Sequence, residues 1–251
     1  MTTTIRGALL GFALLTAAVL PGPLLAQAPA LTPEQTKQVE DIFRRMIKEE
    51  PRLILEALQD MRRQEEAAAE AKASAALKEK RDEILRDRAA PVAGNPDGDV
   101  TVVEFFDYRC PYCKTVAERV IDTAKKDGKV KVLFKELPIL GPESVFAARA
   151  ALAAHRQGKY IELHLALMRT RERLNEEVVF RIAKGTGLDM EKLTKDMSSP
   201  EIKRQLEQNV ELAEELNIRG TPAFIVGDTL APGAIDVATL ETLIADARKK
   251  N

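Results

Sequence analysis

The chain has 251 residues and a formal net charge of −1, with 38 Lys and Arg residues against 39 Asp and Glu residues. This length suits one medium domain with extensions, or two small domains. The balanced charge argues against nucleic acid or an anionic membrane as the partner, and the 31% of charged residues fits a protein with long solvated helices.

The N-terminus predicts an export signal. Arg6 lies in a short positive region, and the apolar stretch 7–20 precedes Pro21 and an A-x-A cleavage pattern that ends at Ala28. The stretch is shorter than the ~20 apolar residues that span a bilayer. We therefore expect a signal peptide, residues 1–28, cleaved after about Ala28. The alternative is an uncleaved N-terminal anchor.

A pair of helices is predicted next. Thr32 is the N-cap, Pro33 the first helical residue and Gln35 the capping-box partner, while Pro51 interrupts the helix. Two apolar stripes at helical spacing follow: Val39, Ile42, Phe43, Met46 and Ile47, then Leu53, Ile54, Leu55, Leu58 and Met61.

These helices are too short to bury a core of their own. We expect residues 29–90 to form an oligomerisation segment, giving a dimer or trimer; docking onto the same chain is the alternative. From 62 to 88 the sequence is Ala-rich and charged, with few large apolar residues, which predicts a solvated helical linker.

Residues 89–98 contain two Pro and two Gly and predict a domain boundary. The following domain, 91–251, has strand and helix patterns in alternation. Strands are expected at 100–106, 129–134, 223–226 and near 229–230, and helices at 111–126, 143–157, 160–168, 176–186, 189–197, 199–216 and 237–249. The expected fold class is α/β, with a helical insertion at about 140–216.

The two cysteines, Cys110 and Cys113, form a C-x-x-C motif between a strand and a helix. The free N–H groups and dipole of a helix start favour an anion, so Cys110 is the expected attacking thiolate. Pro111 suits the first helical turn. Cys113 is expected to be more buried and to resolve a mixed disulfide by attacking Cys110.

Other uses of the cysteine pair remain open. Zinc needs two more ligands, and the only histidines, His155 and His164, are expected to be partly exposed helix residues, so no metal site is predicted. Two thiolates suffice for Cu(I), which leaves copper binding as an alternative. An inert structural bridge is a further alternative, although so small a loop restrains little of the unfolded chain.

Residues 104–114 (EFFDYRCPYCK) resemble the active-site stretch of DsbA-family disulfide oxidoreductases. Residues 220–227 (GTPAFIVG) resemble the cis-proline loop and following strand of that family. The resemblance runs from about Pro91 to the C-terminus. It implies a thioredoxin-like fold with a helical insertion, preceded here by an α-helical N-terminal extension, and no cofactor.

The resemblance also implies roles for individual residues. Cys110 would be the nucleophile and Cys113 the resolving thiol. Pro222, cis after Thr221, would face Cys110, and the Thr221 backbone would pair with an extended substrate segment. Glu104 would lie beneath the disulfide as a proton relay for Cys113. From the sequence alone, Pro222 could equally be a trans turn proline and Glu104 a water-facing carboxylate on an edge strand.

The dipeptide between the cysteines is Pro-Tyr, where the best-known strong oxidants of the family have Pro-His. Tyr112 supplies no positive charge to the thiolate, so strong oxidising character is not expected, although Arg109 and Lys114 could partly compensate. Residues 31–35 (LTPEQ), with residues 50–52 (EPR) and the Leu-rich stretch that follows, resemble the N-terminal domain of ScsC-type suppressor-of-copper-sensitivity proteins. Some members of that group trimerise through such helices, and trimeric members can act as disulfide isomerases.

The sequence therefore predicts a periplasmic thiol–disulfide oxidoreductase that forms or isomerises disulfides in exported proteins. The expected partners are exported substrates with thiols or disulfides, a membrane redox partner and other copies of the chain, but not nucleic acid. The rival hypotheses are a dithiol oxidase that acts alone, a copper-binding protein, and an adaptor whose N-terminal helices bind a partner.

Overall fold

The structure is a computed structural model that describes residues 31–250. The predicted signal peptide lies outside the described residues. Two compact units divide between Gln59 and Asp60. The sequence placed a domain boundary near residue 90 instead, and that boundary stays a prediction. Along residues 31–250, no helix is both long and apolar enough to cross a membrane.

The first unit contains helix α1 (Pro33–Glu49) and the start of helix α2 (Arg52–Glu79). The Gln35 backbone donates to Thr32 Oγ1 at 3.3 Å, and the Thr32 backbone donates to Gln35 Oε1 at 2.9 Å. The predicted capping box is confirmed. The helix ends where expected, because Pro51 disfavours helical geometry at Glu50.

Both apolar stripes are exposed in the single chain. Phe43 is 64% exposed and Leu55 is 59% exposed, and α1 has no buried residue. A monomer thus leaves ten large apolar side chains in water, which we call together the apolar stripe: Val39, Ile42, Phe43, Met46, Ile47, Leu53, Ile54, Leu55, Leu58 and Met61.

The segment predicted as a solvated linker is helical, but its second half is not fully solvated. Leu77 of α2 is buried, as are Ile84 and Leu85 of the short helix α3 (Arg81–Leu85). These residues pack in one hydrophobic cluster with Phe105 and Ile225 of the sheet. The linker expectation was wrong for this part, because a few well-spaced apolar residues among many charges suffice to dock a short helix.

A five-stranded mixed sheet forms the centre of the second unit. Its strands are β1 (Val92–Gly94), β2 (Val100–Phe106), β3 (Val130–Glu136), β4 (Ala223–Val226) and β5 (Thr229–Pro232), in the order β1-β3-β2-β4-β5. Strands β2 and β3 are parallel, and the other neighbours are antiparallel. Strand β2 is therefore central and is paired along both of its edges.

Helices cover the sheet. Helix α4 (Pro111–Asp127) follows β2 directly, and α10 (Val237–Lys250) ends the described chain. Five helices lie between β3 and β4: α5 (Pro142–His155), α6 (Tyr160–Arg169), α7 (Glu176–Gly185), α8 (Met190–Met197) and α9 (Pro200–Glu215). The predicted α/β fold with its helical insertion and helical N-terminal extension is confirmed.

The two faces of β2 belong to different hydrophobic clusters. Val102 and Phe106 pack with α4 and the inserted helices, whereas Val103 and Phe105 pack with α3 and α9. Side chains of a strand alternate between faces. Glu104 therefore points to the same side as Phe106, toward the helix that begins at the cysteines.

Candidate active site

The turn between β2 and α4 is held by the buried carboxylate of Asp107. Its Oδ1 accepts hydrogen bonds from the Arg109 backbone at 2.7 Å and from Ser144 Oγ at 2.8 Å, and its Oδ2 accepts from the Leu140 backbone at 3.0 Å. The Cys110 backbone donates to the Asp107 carbonyl at 3.1 Å. One side chain thus joins the turn to the start of the helical insertion and fixes where α4 begins.

Cys110 is the N-cap of α4, and Pro111 is the first helical residue, as the sequence predicted. The Cys110 side chain is 4% exposed, and its Sγ donates to the Thr221 carbonyl at 3.2 Å. Unpaired N–H groups of the first turn and the helix dipole favour negative charge at this position. The first sulfur therefore lies at the start of α4, against the loop that precedes β4.

Cys113 lies one turn further into α4 and is fully buried. Burial raises the pKa of its thiol well above the ordinary range, and the Cys110 and Glu104 charges raise it further, against a hydrogen bond from the Asp107 backbone. Both cysteines are free thiols, so the structure shows the dithiol form. Burial keeps the second sulfur protonated, whereas the first sulfur lies at the helix start.

Glu104 is fully buried beneath the cysteines. Its neighbours in the sheet are Phe134 of β3 and Phe224 of β4, and neither carboxyl oxygen has a hydrogen-bond partner among the described residues. Burial raises the pKa of Glu104 to about 8. The alternative of a water-facing acid on an edge strand is wrong, because β2 lies between two other strands.

The loop before β4 faces the cysteines. The Thr221–Pro222 peptide bond is cis, as the family resemblance implied. The Thr221 carbonyl accepts the Cys110 hydrogen bond, and the Pro222 carbonyl accepts from the Gly233 backbone at 2.8 Å. Two stretches of chain more than a hundred residues apart thus meet at Cys110.

The two cations beside the motif have other partners. Arg109 donates to the Leu140 carbonyl and pairs with Glu143 at 3.0 Å. Lys114 Nζ donates to the Thr170 carbonyl at 2.7 Å, and burial lowers the pKa of its ammonium group. Both therefore tie α4 and its turn to the inserted helices rather than providing free charge for a thiolate.

A buried polar cluster behind the turn was not found from the sequence. Tyr108 Oη lies 3.2 Å from Nδ1 of His164, and Tyr160 Oη donates to Glu136 Oε1 at 2.6 Å. The expectation that His164 is partly exposed was wrong, because α6 turns it into the core; His155 is exposed as expected. The one sequence signal that pointed to this cluster was Glu136, an acid at the end of a largely apolar strand.

Within residues 31–250 there is no group of three or more His, Cys, Asp or Glu side chains close enough to hold a metal ion. Three apolar side chains of the motif and of the loop held by Asp107 are exposed: Tyr112 at 66%, Ile139 at 45% and Leu140 at 42%. We call these three side chains the apolar rim.

Comparison with known proteins agrees with this geometry. The family profile of the DSBA-like thioredoxin domain matches residues 101–245. A curated relative, the probable disulfide bond formation protein D of Bacillus anthracis, is 30% identical over 167 residues, which is 61% of this chain and 77% of the relative.

Solved structures show the same likeness. A thioredoxin-like oxidoreductase from Silicibacter pomeroyi is 48% identical, with a TM-score of 0.66 over 67% of this chain and 98% of that chain. A linker-deletion mutant of Proteus mirabilis ScsC is 29% identical, with a TM-score of 0.68 over 90% of this chain and 100% of that chain. The chain therefore belongs to the DsbA-like thioredoxin-domain family of thiol–disulfide oxidoreductases.

Proposed function

We propose that the protein exchanges disulfides in exported proteins, with Cys110 as the nucleophile and Cys113 as the resolving thiol. One observation carries this proposal: Cys110 Sγ lies at the helix start against the Thr221 carbonyl, while Cys113 is buried and its thiol pKa is raised. Asymmetry of this kind separates an attacking sulfur from a resolving sulfur.

The exchange proceeds in two steps. The Cys110 thiolate attacks one sulfur of a substrate disulfide, forms a mixed disulfide and releases the other substrate sulfur as a thiolate. In isomerisation, that substrate thiolate attacks another disulfide of the substrate, and a substrate thiolate later displaces Cys110. In net reduction, Cys113 attacks Cys110 instead, which leaves the protein oxidised and the substrate reduced.

Glu104 is the proposed proton acceptor for Cys113 in the resolving step. A buried thiol must lose its proton before it attacks, and Glu104 is the buried carboxylate whose charge acts on Cys113. Because its pKa is about 8, Glu104 is ionised in only a minority of molecules at neutral pH, and it is this ionised form that accepts the Cys113 proton. In the reverse direction, when the protein disulfide is reduced, the protonated acid returns the proton to Cys113.

Substrate binding is assigned to the Thr221 backbone and the apolar rim. An extended substrate segment would add beside Thr221, as strands add to exposed backbone. Tyr112, Ile139 and Leu140 would contact apolar side chains next to the substrate cysteine. Apolar segments are exposed in incompletely folded proteins, which is the state in which disulfides are formed and reshuffled.

Exchange is favoured over copper binding by the state of the two thiols. A Cu(I) site with two ligands needs both cysteines as thiolates. Burial raises the pKa of Cys113, and the buried acid Glu104 adds to this effect. A pair in which one thiol is held protonated fits sequential attack and resolution better than simultaneous metal binding.

The N-terminal helices are the proposed oligomerisation segment, forming a dimer or trimer. The ten exposed apolar side chains of α1 and α2 form a stripe that water disfavours by ~25 cal/mol per Å² of apolar surface. Pairing with other copies would bury the stripe and hold several Cys110 sulfurs together, which raises the local thiol concentration. The sequence of residues 1–28 supports export to the periplasm, where a membrane redox partner would reset the cysteines.

The test is reactivation of scrambled ribonuclease by the chain from residue 29. The comparison is a variant of the same chain with Phe43→Asp and Leu55→Asp, which places charge on two apolar side chains of the first unit. Its matched control is Gln38→Asp with Gln59→Asp, which adds the same charge at exposed polar positions of the same helices.

We expect the wild type and the polar control to sediment as an oligomer and to reactivate the enzyme. The stripe variant should sediment as a monomer and lose about tenfold or more in reactivation rate, since linked sites reach about millimolar effective concentrations. It should still oxidise a reduced substrate. Equal reactivation by all three proteins would overturn the assembly-dependent isomerase, and exchange by none would overturn the enzyme.

A further inference from the structure

The loop between β3 and α5 is joined to the active-site turn through the backbone of Leu140. The Leu140 N–H donates to Asp107 Oδ2 at 3.0 Å, and the Leu140 carbonyl accepts a hydrogen bond from the Arg109 guanidinium. Asp107 and Arg109 are the third and the first residue before Cys110. Two side chains of the active-site turn thus bind both backbone groups of one residue of the apolar rim.

Gly141 shows how closely this loop approaches the turn. Its φ is +114°, and a Cβ atom on it would lie 2.9 Å from Nη1 of Arg109. Glu143, in the first turn of α5, pairs with the same guanidinium at 3.0 Å. The side chains of Ile139 and Leu140 are nevertheless 45% and 42% exposed. The backbone of the loop is therefore held on the turn, while its two apolar side chains remain accessible.

The hydrogen bonds of Asp107 require a carboxylate. Within residues 31–250, its Oδ1 accepts from the Arg109 backbone and from Ser144 Oγ, and its Oδ2 accepts from the Leu140 backbone. A carboxylate offers two acceptor oxygens, whereas an amide offers one acceptor oxygen and one donor group. An amide that kept the bonds to Arg109 and Ser144 would turn its NH2 group toward the Leu140 N–H. Asp107→Asn therefore breaks the link to the rim and keeps the link within the turn.

We propose that Asp107 is a positioning residue that sets the preference of Cys110 for disulfides flanked by apolar side chains. The inference rests on the proposed function, in which the apolar rim contacts the substrate. Asp107 holds Leu140 against the turn that carries Cys110, so an apolar side chain next to the substrate cysteine contacts Leu140 as the mixed disulfide forms. Asp107 is 1% exposed and acts only through Leu140.

A purely structural role of Asp107 predicts a different result. If the carboxylate only shaped the turn, its loss would alter the Cys110 thiolate, and every disulfide would react more slowly by the same factor. If it positions Leu140, the loss falls on disulfides with apolar neighbours. The ratio of two rate constants for the same thiolate separates these roles, because a change in the ionised fraction of Cys110 cancels in the ratio.

The experiment measures two second-order rate constants for the reduced chain from residue 29 at neutral pH. One substrate is hydroxyethyl disulfide, and the other is the disulfide of the blocked peptide acetyl-Leu-Cys-Leu-amide. Both substrates are uncharged, so the charge lost in Asp107→Asn affects them alike. Each substrate disulfide is reduced to two thiols while Cys110 and Cys113 are oxidised to a disulfide, and mass spectrometry after acid quenching follows the oxidised protein.

For Asp107→Asn we expect the ratio of the peptide rate constant to the hydroxyethyl rate constant to fall about fivefold. This is less than the tenfold or more, roughly, that one methylene contributes in a closed pocket, because the rim is exposed. Leu140→Ala should lower the ratio by a similar factor. The double variant should lower it no further than either single variant, because Asp107 acts through Leu140.

The matched control is Asp87→Asn, the same acid-to-amide change at a different place. Asp87 accepts hydrogen bonds from the Ala89 backbone at 2.8 Å and from Lys135. Lys135 lies in register with Phe105, on the face of the sheet that packs against α3. Asp87→Asn should therefore leave the ratio unchanged, whatever it does to stability.

Should Asp107→Asn fail to fold, Arg109→Gln decides, because it removes the guanidinium that donates to the Leu140 carbonyl and should lower the ratio too. When the wild type reacts with both disulfides, three results overturn the inference alone: an unchanged ratio in the deciding variant, an unchanged ratio in Leu140→Ala, or reductions that multiply in the double variant. A wild type that reacts with neither disulfide overturns the proposed function and the inference with it.

Discussion

At the scale of single residues, Glu104 combines two properties that oppose each other. It is a carboxylic acid without a hydrogen-bond partner in the described part of the chain, and it is fully buried on the central strand of the sheet. Burial of this kind destabilises the ionised form, which is why the pKa of Glu104 rises to about 8. A residue that costs folding free energy at neutral pH is typical of a functional site.

This cost has a definite pH dependence. Between about pH 4.5, the ordinary value, and about pH 8, the folded chain binds a proton at Glu104 that the unfolded chain has released. The free energy of unfolding therefore falls as pH rises through this window, and the favourable contribution is complete below pH 4.5.

We expect Glu104→Gln to remove this slope. Relative to the wild type, the variant should gain on the order of 4 kcal/mol in free energy of unfolding between pH 4.5 and pH 8. Urea unfolding of both reduced proteins at several pH values measures the difference. Burial also raises the pKa of Glu136, to about 7, but this contribution is the same in both proteins and cancels. Parallel curves for the two proteins would show that Glu104 is ionised in the folded state at neutral pH.

At the scale of elements, helix α3 has only five residues, but two of them, Ile84 and Leu85, are buried. Ile84 is fully buried against the face of the sheet that carries Phe105 and Ile225. Lys80 pairs with Glu215 of α9, and Arg81 with Asp228 after β4, but these pairs are exposed and contribute little. The contact of Ile84 with the sheet therefore contributes most of the free energy that holds α3 in place.

Ile84→Ala should lower the free energy of unfolding of the second unit by about 2–4 kcal/mol, the range for such truncations in a packed core. The matched control is Ile54→Ala in α2, where the side chain is 42% exposed in the single chain and the loss should stay below about 0.5 kcal/mol in a monomeric background. Thermal and urea unfolding measure both. Equal small losses would show that α3 does not belong to the core of the second unit.

At the scale of the whole molecule, the sequence was sufficient for the fold and for the position of Cys110. Local signals of high specificity were responsible: Thr32 with Gln35 at a helix start, and Pro111 directly after Cys110. The buried contact between Tyr108 and His164 could not be predicted, because it depends on how α6 packs on the sheet. Helical periodicity gives the face of a residue but not which buried face meets another element.

For the same reason, local patterns in the sequence did not show that part of the linker is buried or that Glu104 is buried. Leu77 is separated from Ile84 and Leu85 by a run of charged residues, so the sequence shows no continuous stripe, and only the neighbouring sheet reveals what they pack against. The burial of Glu104 followed from the central place of β2 in the strand order, which is set by pairing between distant segments. Long-range pairing of this kind is not readable from local patterns.

The most direct test of the central claim is to trap a mixed disulfide on one sulfur. The chain from residue 29 is prepared with Cys113→Ser or with Cys110→Ser, incubated with glutathione disulfide at neutral pH, and mapped by mass spectrometry. Cys113→Ser should carry one glutathione on Cys110, with one glutathione thiol released, because the resolving thiol is absent. Cys110→Ser should stay unmodified, because Cys113 is buried and its pKa is raised. Glutathione on Cys113 at a comparable rate, or no adduct on either variant, would contradict the assignment of Cys110 as the nucleophile.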